Sequence, residues 1–393
     1  MEEMKIRFCE EDRRRQARIK VLGIGGAGCN ALNGMIEAAL AGVEFIAINT
    51  DQQALERSLA PRILPIGRTG LGAGGEPDLG RQAMEESREK LYDALANTDM
   101  VFITAGMGGG TGTGGSSVAA EVAKELGLLT VAVVTKPFLN EGRLRMVRAE
   151  EGIRNLKQHV DTLILIPNQR LIAIIEKGTP LAAAFRRADQ VLLQATRGIS
   201  DLITVHGFIN LDFADVKAVM AEGGDALMGV GVAKGENRAV EATQQAITSP
   251  FMEEVSITGA RAVLCNITGN LTFDDYNEAS NIVHEAVGDD ANIFIGAVLD
   301  PSMNDEVRVT IIATGFNSTK PQRVAAAVGF GDPARLVSYR PQRLVTDRPV
   351  VSVSAPGAVE ATAQAKNLTL DRPAGPAMID DRNIPAFLRK QLD

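Results

Sequence analysis

The chain has 393 residues, 45% hydrophobic and 23% charged, the balance of a globular protein long enough for two or three domains and a sizeable core. A formal charge of -8, no Trp and only 4% aromatic residues argue against nucleic acid as a partner, since neither a dominant basic surface nor a stacking platform is available. Three scattered cysteines (Cys9, Cys29, Cys265) and three scattered histidines (His159, His206, His284) suggest neither a disulfide framework nor a zinc cluster.

The N-terminal stretch, residues 1–18, is polar and reads as a flexible segment with no apolar core for a signal peptide. No run of about 18 apolar residues follows, so a cytoplasmic protein without direct membrane insertion is expected. From residue 19, nearly continuous apolar runs alternate with helical patterns: IKVLGIG (19–25), VEFIAINT (43–50), DMVFITAG (99–106), LLTVAVVT (128–135) and VDTLILIPN (160–168). Such runs predict strands buried on both faces, and their alternation with helices predicts a parallel, Rossmann-like doubly wound α/β sheet. Ligands bind such sheets at the carboxyl ends of the strands. The segment 80–99 reads as one amphipathic helix with Met84, Leu91, Tyr92 and Leu95 on one face.

Residues 19–180 are expected to form the nucleotide-binding domain, and 181–206 a long central helix, with Phe185, Leu192, Thr196, Ile199 and Ile203 near helical spacing. Strands at 229–235, 260–269, 292–300 and 307–316, with helices at 237–247 and 274–287, predict a second, smaller α/β domain over 207–317. Half of the 16 prolines fall after residue 320, so 318–380 reads as a disordered linker. The segment 381–393 recovers an apolar knot, Ile384, Pro385, Ala386, Phe387 and Leu388, beside Arg389, which suits a short docking motif.

Two glycine loops carry the chemistry. AGMGGGTGTGGSS (105–117) has seven glycines in thirteen positions between a strand and a helix. Backbone N–H groups in such a loop, with the positive end of the following helix, form an anion nest, and the Thr111 and Thr113 hydroxyls are candidate phosphate donors. No Gly-Lys-Ser/Thr follows, so this is not a P-loop, and charge balance must come from amides, dipoles and a Mg²⁺ ion carried with the nucleotide.

GIGGAGCN (23–30) places Gly23, Gly25 and Gly28 in a G-x-G-x-x-G pattern, with Glu44 at the spacing of a ribose-binding acid. Alone it suggests an NAD(P)-binding oxidoreductase, but two such loops suit a triphosphate better. GLGAGGEP (70–77) is a third glycine segment, suited to closing over the terminal phosphate. In NLDFAD (210–215), Asp212 and Asp215 are three apart at a predicted helix start, the spacing of an N-cap and a first-turn acid.

GGGTGTGG (108–115) resembles the signature of the tubulin-like GTPases, and residues 19–316 resemble the FtsZ family, its bacterial cell-division branch. The likeness extends to GLGAGG, VAVVTKPF, EEGIRNLKQHVDTLILIPN, NLDFADVKAVM, ENRAVEA and IPAFLRKQ. It implies a GTP/GDP site in which Gly26, Ala27, Gly28, Cys29 and Asn30, flanked by Gly25, hold phosphates together with Gly108, Gly109, Gly110, Thr111, Gly112, Thr113 and Gly114. It adds Gly106 and Thr135 to the pocket, and puts Ala73, Gly74 and Gly75 near the terminal phosphate. Glu141 and Arg145 are implied to face ribose and phosphates, and Asn168, Phe185 and Asp189 to hold guanine.

The likeness further implies assembly-dependent hydrolysis of GTP to GDP and phosphate. Asn210, Asp212 and Asp215 would enter the pocket of the next copy in a head-to-tail homopolymer that forms the division ring. It implies a place at mid-cell under the inner membrane, where residues 384–389 bind membrane-tethering and regulatory division proteins. Several positions depart from the family pattern, among them Leu139, Asn140, His206, Arg382 and Asn383; in the first loop Ala27 and Cys29 add side chains, with Cys29 expected to confer sensitivity to thiol reagents. Glu76 stands where Asn is commoner and brings negative charge toward the terminal phosphate, so a scaffold that assembles without hydrolysing is a further alternative.

Overall fold

In a computed structural model of the chain, the described residues are 17–316, apart from 173–174, 176–177, 206, 210, 222–223, 253–256 and 289–290. The expected linker and tail, most of the N-terminal segment, His206 and Asn210 therefore lie outside them.

Strand β1 (Ile19–Ile24) is buried along its whole length and feeds directly into α1 (Gly25–Glu37). Next come β2 (Val43–Asn49), α2 (Gln52–Glu56), β3 (Arg62–Pro65), α3 (Pro77–Glu85) and α4 (Arg88–Leu95). Then follow β4 (Met100–Gly106), α5 (Thr111–Glu125), β5 (Leu129–Lys136), α6 (Arg143–Leu156), β6 (Thr162–Pro167) and α7 (Asn168–Leu171). The 24-residue α8 (Leu181–Thr204) leads to α9 (Phe213–Ala221) and β7 (Gly224–Lys234). The remainder is α10 (Arg238–Ile247), β8 (Ala262–Gly269), α11 (Phe273–Val287), β9 (Asn292–Leu299) and β10 (Glu306–Thr314).

All ten strands join one sheet in the order β3-β2-β1-β4-β5-β6-β7-β10-β8-β9. The first seven positions are parallel, with Ile24 registered against both Ile48 and Ala105. Strand β7 is the joint: Gly224–Ala226 pair in parallel with β6, and Leu227–Lys234 pair antiparallel with β10. The predicted strand at 229–235 thus begins five residues earlier, because Gly224 to Met228 bury only alternate residues and leave no continuous apolar signal.

Helices cover both faces. Leu192, Ala195, Ile199 and Leu202 of α8 share a core with Leu32 of α1 and with Val21, Phe102 and Val131 of the sheet. On the other face Leu22, Ile103 and Val134 pack with Leu91 of α4 and Val118 and Ala120 of α5. A third core joins β7–β10 to α10 and α11 through Val263, Ile311, Ala246 and Val283. Lys20 is buried in the midst of β1 because its Nζ donates to the carbonyls of Ala94 (2.9 Å) and Ala96 (3.2 Å), closing the end of α4.

Two expectations are corrected. The helix predicted over 80–99 is broken at Glu86 and Ser87 into α3 and α4. The axis of α3 is set by α5: a Cβ on Gly80 would lie 2.3 Å from the Gly110 carbonyl oxygen, and one on Gly114 1.9 Å from that of Pro77. Leu91 and Leu95 must instead reach the sheet, and one straight helix cannot satisfy both contacts. The edge strand β3 was missed because only Leu64 of its four residues is buried, so no apolar run marks it.

Candidate functional site

The two glycine loops leave neighbouring strands, β1 and β4, at their carboxyl ends. Helix α1 leads on to β2 on one side of this pair and α5 to β5 on the other, so a crevice opens where the sheet order reverses. Gly25, at φ 73°, turns the chain from strand to helix in one residue, a conformation costly for any side chain. With Gly110 preceding α5, two helix N-termini converge there, each with unsatisfied amides and partial positive charge.

The glycines divide by what they face. A Cβ on Gly26, Gly74 or Gly109 would meet nothing within 4 Å, so no neighbouring part of the protein crowds the backbone at these three. Gly25, Gly106, Gly112 and Gly114 are bare because neighbouring chain leaves no room; Gly25 approaches the Gly112 amide, and Gly106 the Ala27 methyl. Glycine density here therefore has two causes, open backbone and tight packing.

Both predicted hydroxyls have a partner within the protein, and Thr113 meets its partner as an acceptor, which leaves its O–H able to donate. Thr113 Oγ1 accepts the Gly108 N–H at 2.8 Å, and Thr111 Oγ1 pairs with Thr50 Oγ1 at 2.6 Å, both buried. Thr50, at the end of β2, was missed by sequence reasoning because a lone Thr carries no signal.

Ala27 and Asn30 are exposed on the first turns of α1, but Cys29 is not. Its thiol points inward, 3.5 Å from the Gly23 carbonyl oxygen, and burial pushes its pKa up to about 11. The expected thiol sensitivity is corrected accordingly: the thiolate needed for reaction is suppressed and enclosed.

Strands β5 and β6, next in the sheet, bring the remaining residues to the same end. Thr135 is buried beside Gly106. Glu141 accepts the Phe138 N–H at 2.8 Å and pairs with Arg145 Nε at 3.2 Å, while the Arg145 stem covers Gly108. Asn168 begins α7 directly after β6; it is buried, and its Oδ1 has no hydrogen-bond partner within the protein.

Phe185 stands edge-on to Phe138 at 5.7 Å, and Asp189 follows it by one helical turn on α8. Burial raises the Asp189 carboxyl from 3.8 to about 6. An orphaned acceptor, a half-exposed ring and a desolvated carboxylate are the groups that a flat heterocycle carrying N–H donors would satisfy.

Asp212 and Asp215 are elsewhere. Helix α8 is about 36 Å long. Its last residue, Thr204, abuts Gly42, immediately before β2, and therefore lies at the amino ends of the parallel strands. The chain returns to that end of β6, where Thr162 Oγ1 donates to the Met220 carbonyl oxygen. Asp212 caps α9 by accepting the Asp215 N–H at 2.8 Å and is exposed, so the capping expectation holds. Glu44 is also remote: it registers with Lys20 and pairs with its Nζ at 3.6 Å near the amino end of β2. A ribose-binding acid belongs at the carboxyl end of that strand, which removes the main support for the dinucleotide reading.

The third glycine segment also carries a feature that spacing did not reveal. Arg148 of α6 pairs with Glu76 and donates from Nη1 to the Gly75 carbonyl oxygen at 2.9 Å. Nothing in the linear order ties residue 76 to residue 148.

Residues 18–176 match the Tubulin/FtsZ family GTPase domain, and residues 224–317 the FtsZ family C-terminal domain. Among solved structures, an empty FtsZ dimer from M. jannaschii is 45% identical, with a TM-score of 0.74 over 78% of this chain and 90% of that one. A point mutant of the M. jannaschii protein is 46% identical, with a TM-score of 0.73 over 76% of this chain and 91% of that one. CetZ1 from Haloferax volcanii, as a GDP-bound monomer, is 20% identical with a TM-score of 0.67 over 76% and 94%, a likeness of fold. With both family models matched and this identity over most of both chains, the protein belongs to the FtsZ family of tubulin-like GTPases.

Proposed function

We propose that this chain binds GTP in the crevice at the carboxyl ends of β1, β4, β5 and β6, and that a second copy completes the site for hydrolysis. The segments Gly25 to Asn30 and Gly108 to Gly114 would cradle the phosphates through those of their amides that have no partner in the protein, with Ala73 to Gly75 over the terminal phosphate. Asn168 and Asp189 would recognise the guanine edge while Phe185 covers the ring; an Asp accepts from both N1–H and the exocyclic amine. Glu141 and Arg145 would flank the ribose and phosphates. Among the described residues no three His, Cys, Asp or Glu side chains form a metal-binding group. Mg²⁺ would be held mainly by the phosphates and water, as the charge of a bound triphosphate requires.

The observation that carries this reading is the separation of the acidic loop from the crevice by the length of α8. Asp212, Asp215 and Asn210 reach a nucleotide only when another copy stacks head to tail, where the carboxylates orient and polarise the attacking water. A contact between unlike faces repeats into an open filament. The segment 384–389, outside the described residues, would dock membrane-tethering and regulatory division proteins and hold the filament under the inner membrane at mid-cell.

The test is sedimentation with phosphate release. GTP should pellet the protein where GDP does not, and hydrolysis per molecule should rise with protein concentration. A rate per molecule independent of concentration would defeat the two-copy site.

A further inference from the structure

The turn 73–76 is closed by one backbone hydrogen bond, from the Glu76 N–H to the Ala73 carbonyl oxygen at 3.0 Å, and Ala73 is buried. Gly74 and Gly75 have φ of 57° and 78°, and a Cβ on Gly74 would meet nothing. Its closest packed neighbour is Gly110 in the second glycine loop, whose Cβ position lies 2.8 Å from Ala73 Cβ and 3.0 Å from Glu76 N. Arg148 supplies a second tether, bridging the Gly75 carbonyl and the Glu76 carboxylate from α6.

Helix α6 is itself a fixed platform. A Cβ on Gly152 would lie 2.2 Å from Thr113 Cγ2, and Arg145 covers Gly108, so α6 is seated on the loop that opens α5. The Arg148 side chain is 23% exposed and the Glu76 side chain 54%. An ion pair this open adds little to folding. Its consequence lies in the charge it cancels: without Arg148, the Glu76 carboxylate, one residue beyond the segment assigned to the terminal phosphate, would add uncompensated negative charge near that end of the site.

We infer that Arg148 is a positioning residue for the terminal-phosphate end of the site, cancelling the Glu76 charge and holding the 73–76 turn against Gly110. The inference rests on the guanine-nucleotide reading above. It predicts discrimination: GDP has no terminal phosphate there, so loss of Arg148 should weaken GTP far more than GDP.

The experiment is calorimetric titration of the full chain with GDP and with a slowly hydrolysed GTP analogue, for wild type, Arg148→Ala, Glu76→Gln and the double variant. Arg148→Ala should lower the preference for the triphosphate about tenfold with little change in thermal unfolding. Adding Glu76→Gln should recover it to within about twofold, and Glu76→Gln alone, which leaves the Arg148 charge uncompensated, should leave it at or above wild type. A preference unchanged in Arg148→Ala, or one that Glu76→Gln fails to restore, overturns the inference while the nucleotide reading stands. A wild-type chain that binds neither ligand overturns both.

Discussion

At the Leu181 end of α8 the protein offers backbone, namely open glycine amides, two helix N-termini and a few polar side chains held by packing. At the Thr204 end it offers carboxylates, Asp212 and Asp215, on the exposed start of α9. The first arrangement gathers groups suited to stabilising a polyanion, and the second presents carboxylates suited to accepting hydrogen bonds from water. On the reading proposed above, the roughly 36 Å length of α8 keeps the two apart in one copy and avoids setting like charges together until assembly joins them.

The largest effect that would break this comparison is at Asp212. Asp212→Asn preserves the helix cap, since Asn caps as well as Asp, while removing the negative acceptor. Hydrolysis should fall at least about 100-fold, a barrier change of about 2.7 kcal/mol, with GTP-driven pelleting intact. Asp212→Ala should lose the same activity and, in addition, about 1 kcal/mol of stability. An Asn variant that releases phosphate at the wild-type rate would show that the far end takes no part in the chemistry.

A smaller effect sharpens the division among the glycines. Gly114→Ala would push a methyl into the Pro77 carbonyl and should cost about 1–3 kcal/mol in denaturant unfolding. Gly109→Ala meets nothing in the protein, so its unfolding should stay near wild type while nucleotide affinity drops. Equal unfolding free energies for the two variants would erase the distinction between packing glycines and open ones.

The smallest effect concerns pH at the base-binding end. Burial raises the Asp189 carboxyl from 3.8 to about 6, so in the free protein it is mostly protonated only below about 6. Its contribution to stability is accordingly present below about 4 and lost as pH rises through about 6. Accepting hydrogen bonds from guanine needs the ionised form. Nucleotide affinity should therefore fall by up to tenfold per pH unit below about 6, and Asp189→Asn should flatten that slope. A slope that persists in the Asn variant would assign the titration elsewhere.

Much of the fold was legible in order. Strands such as β1, β4 and β5 are buried on both faces, so their apolar runs stand out, and α8 keeps its apolar residues at helical spacing over 24 residues. Elements with mixed environments were less legible: β3 has one buried residue, β7 changes partner midway, and the break between α3 and α4 answers contacts 25 or more residues away. In the site, glycine density was visible because a rare composition in a strand-loop-helix setting has few other uses. Cys29 looked like a reactive intruder in the loop because a residue string does not say which way a helical side chain points.

The sequence by itself determined the alternation of strands and helices, the two glycine loops and the capping pair at α9, since each depends on neighbours within a few residues. Tertiary structure decided which glycines face open space, which hydroxyls are already engaged, that Glu44 sits at the wrong end of β2 and that Arg148 meets Glu76. Those are facts of direction and of distance between remote residues. They are set when packed helices and a twisted sheet fix each side chain in space, and no local pattern carries them.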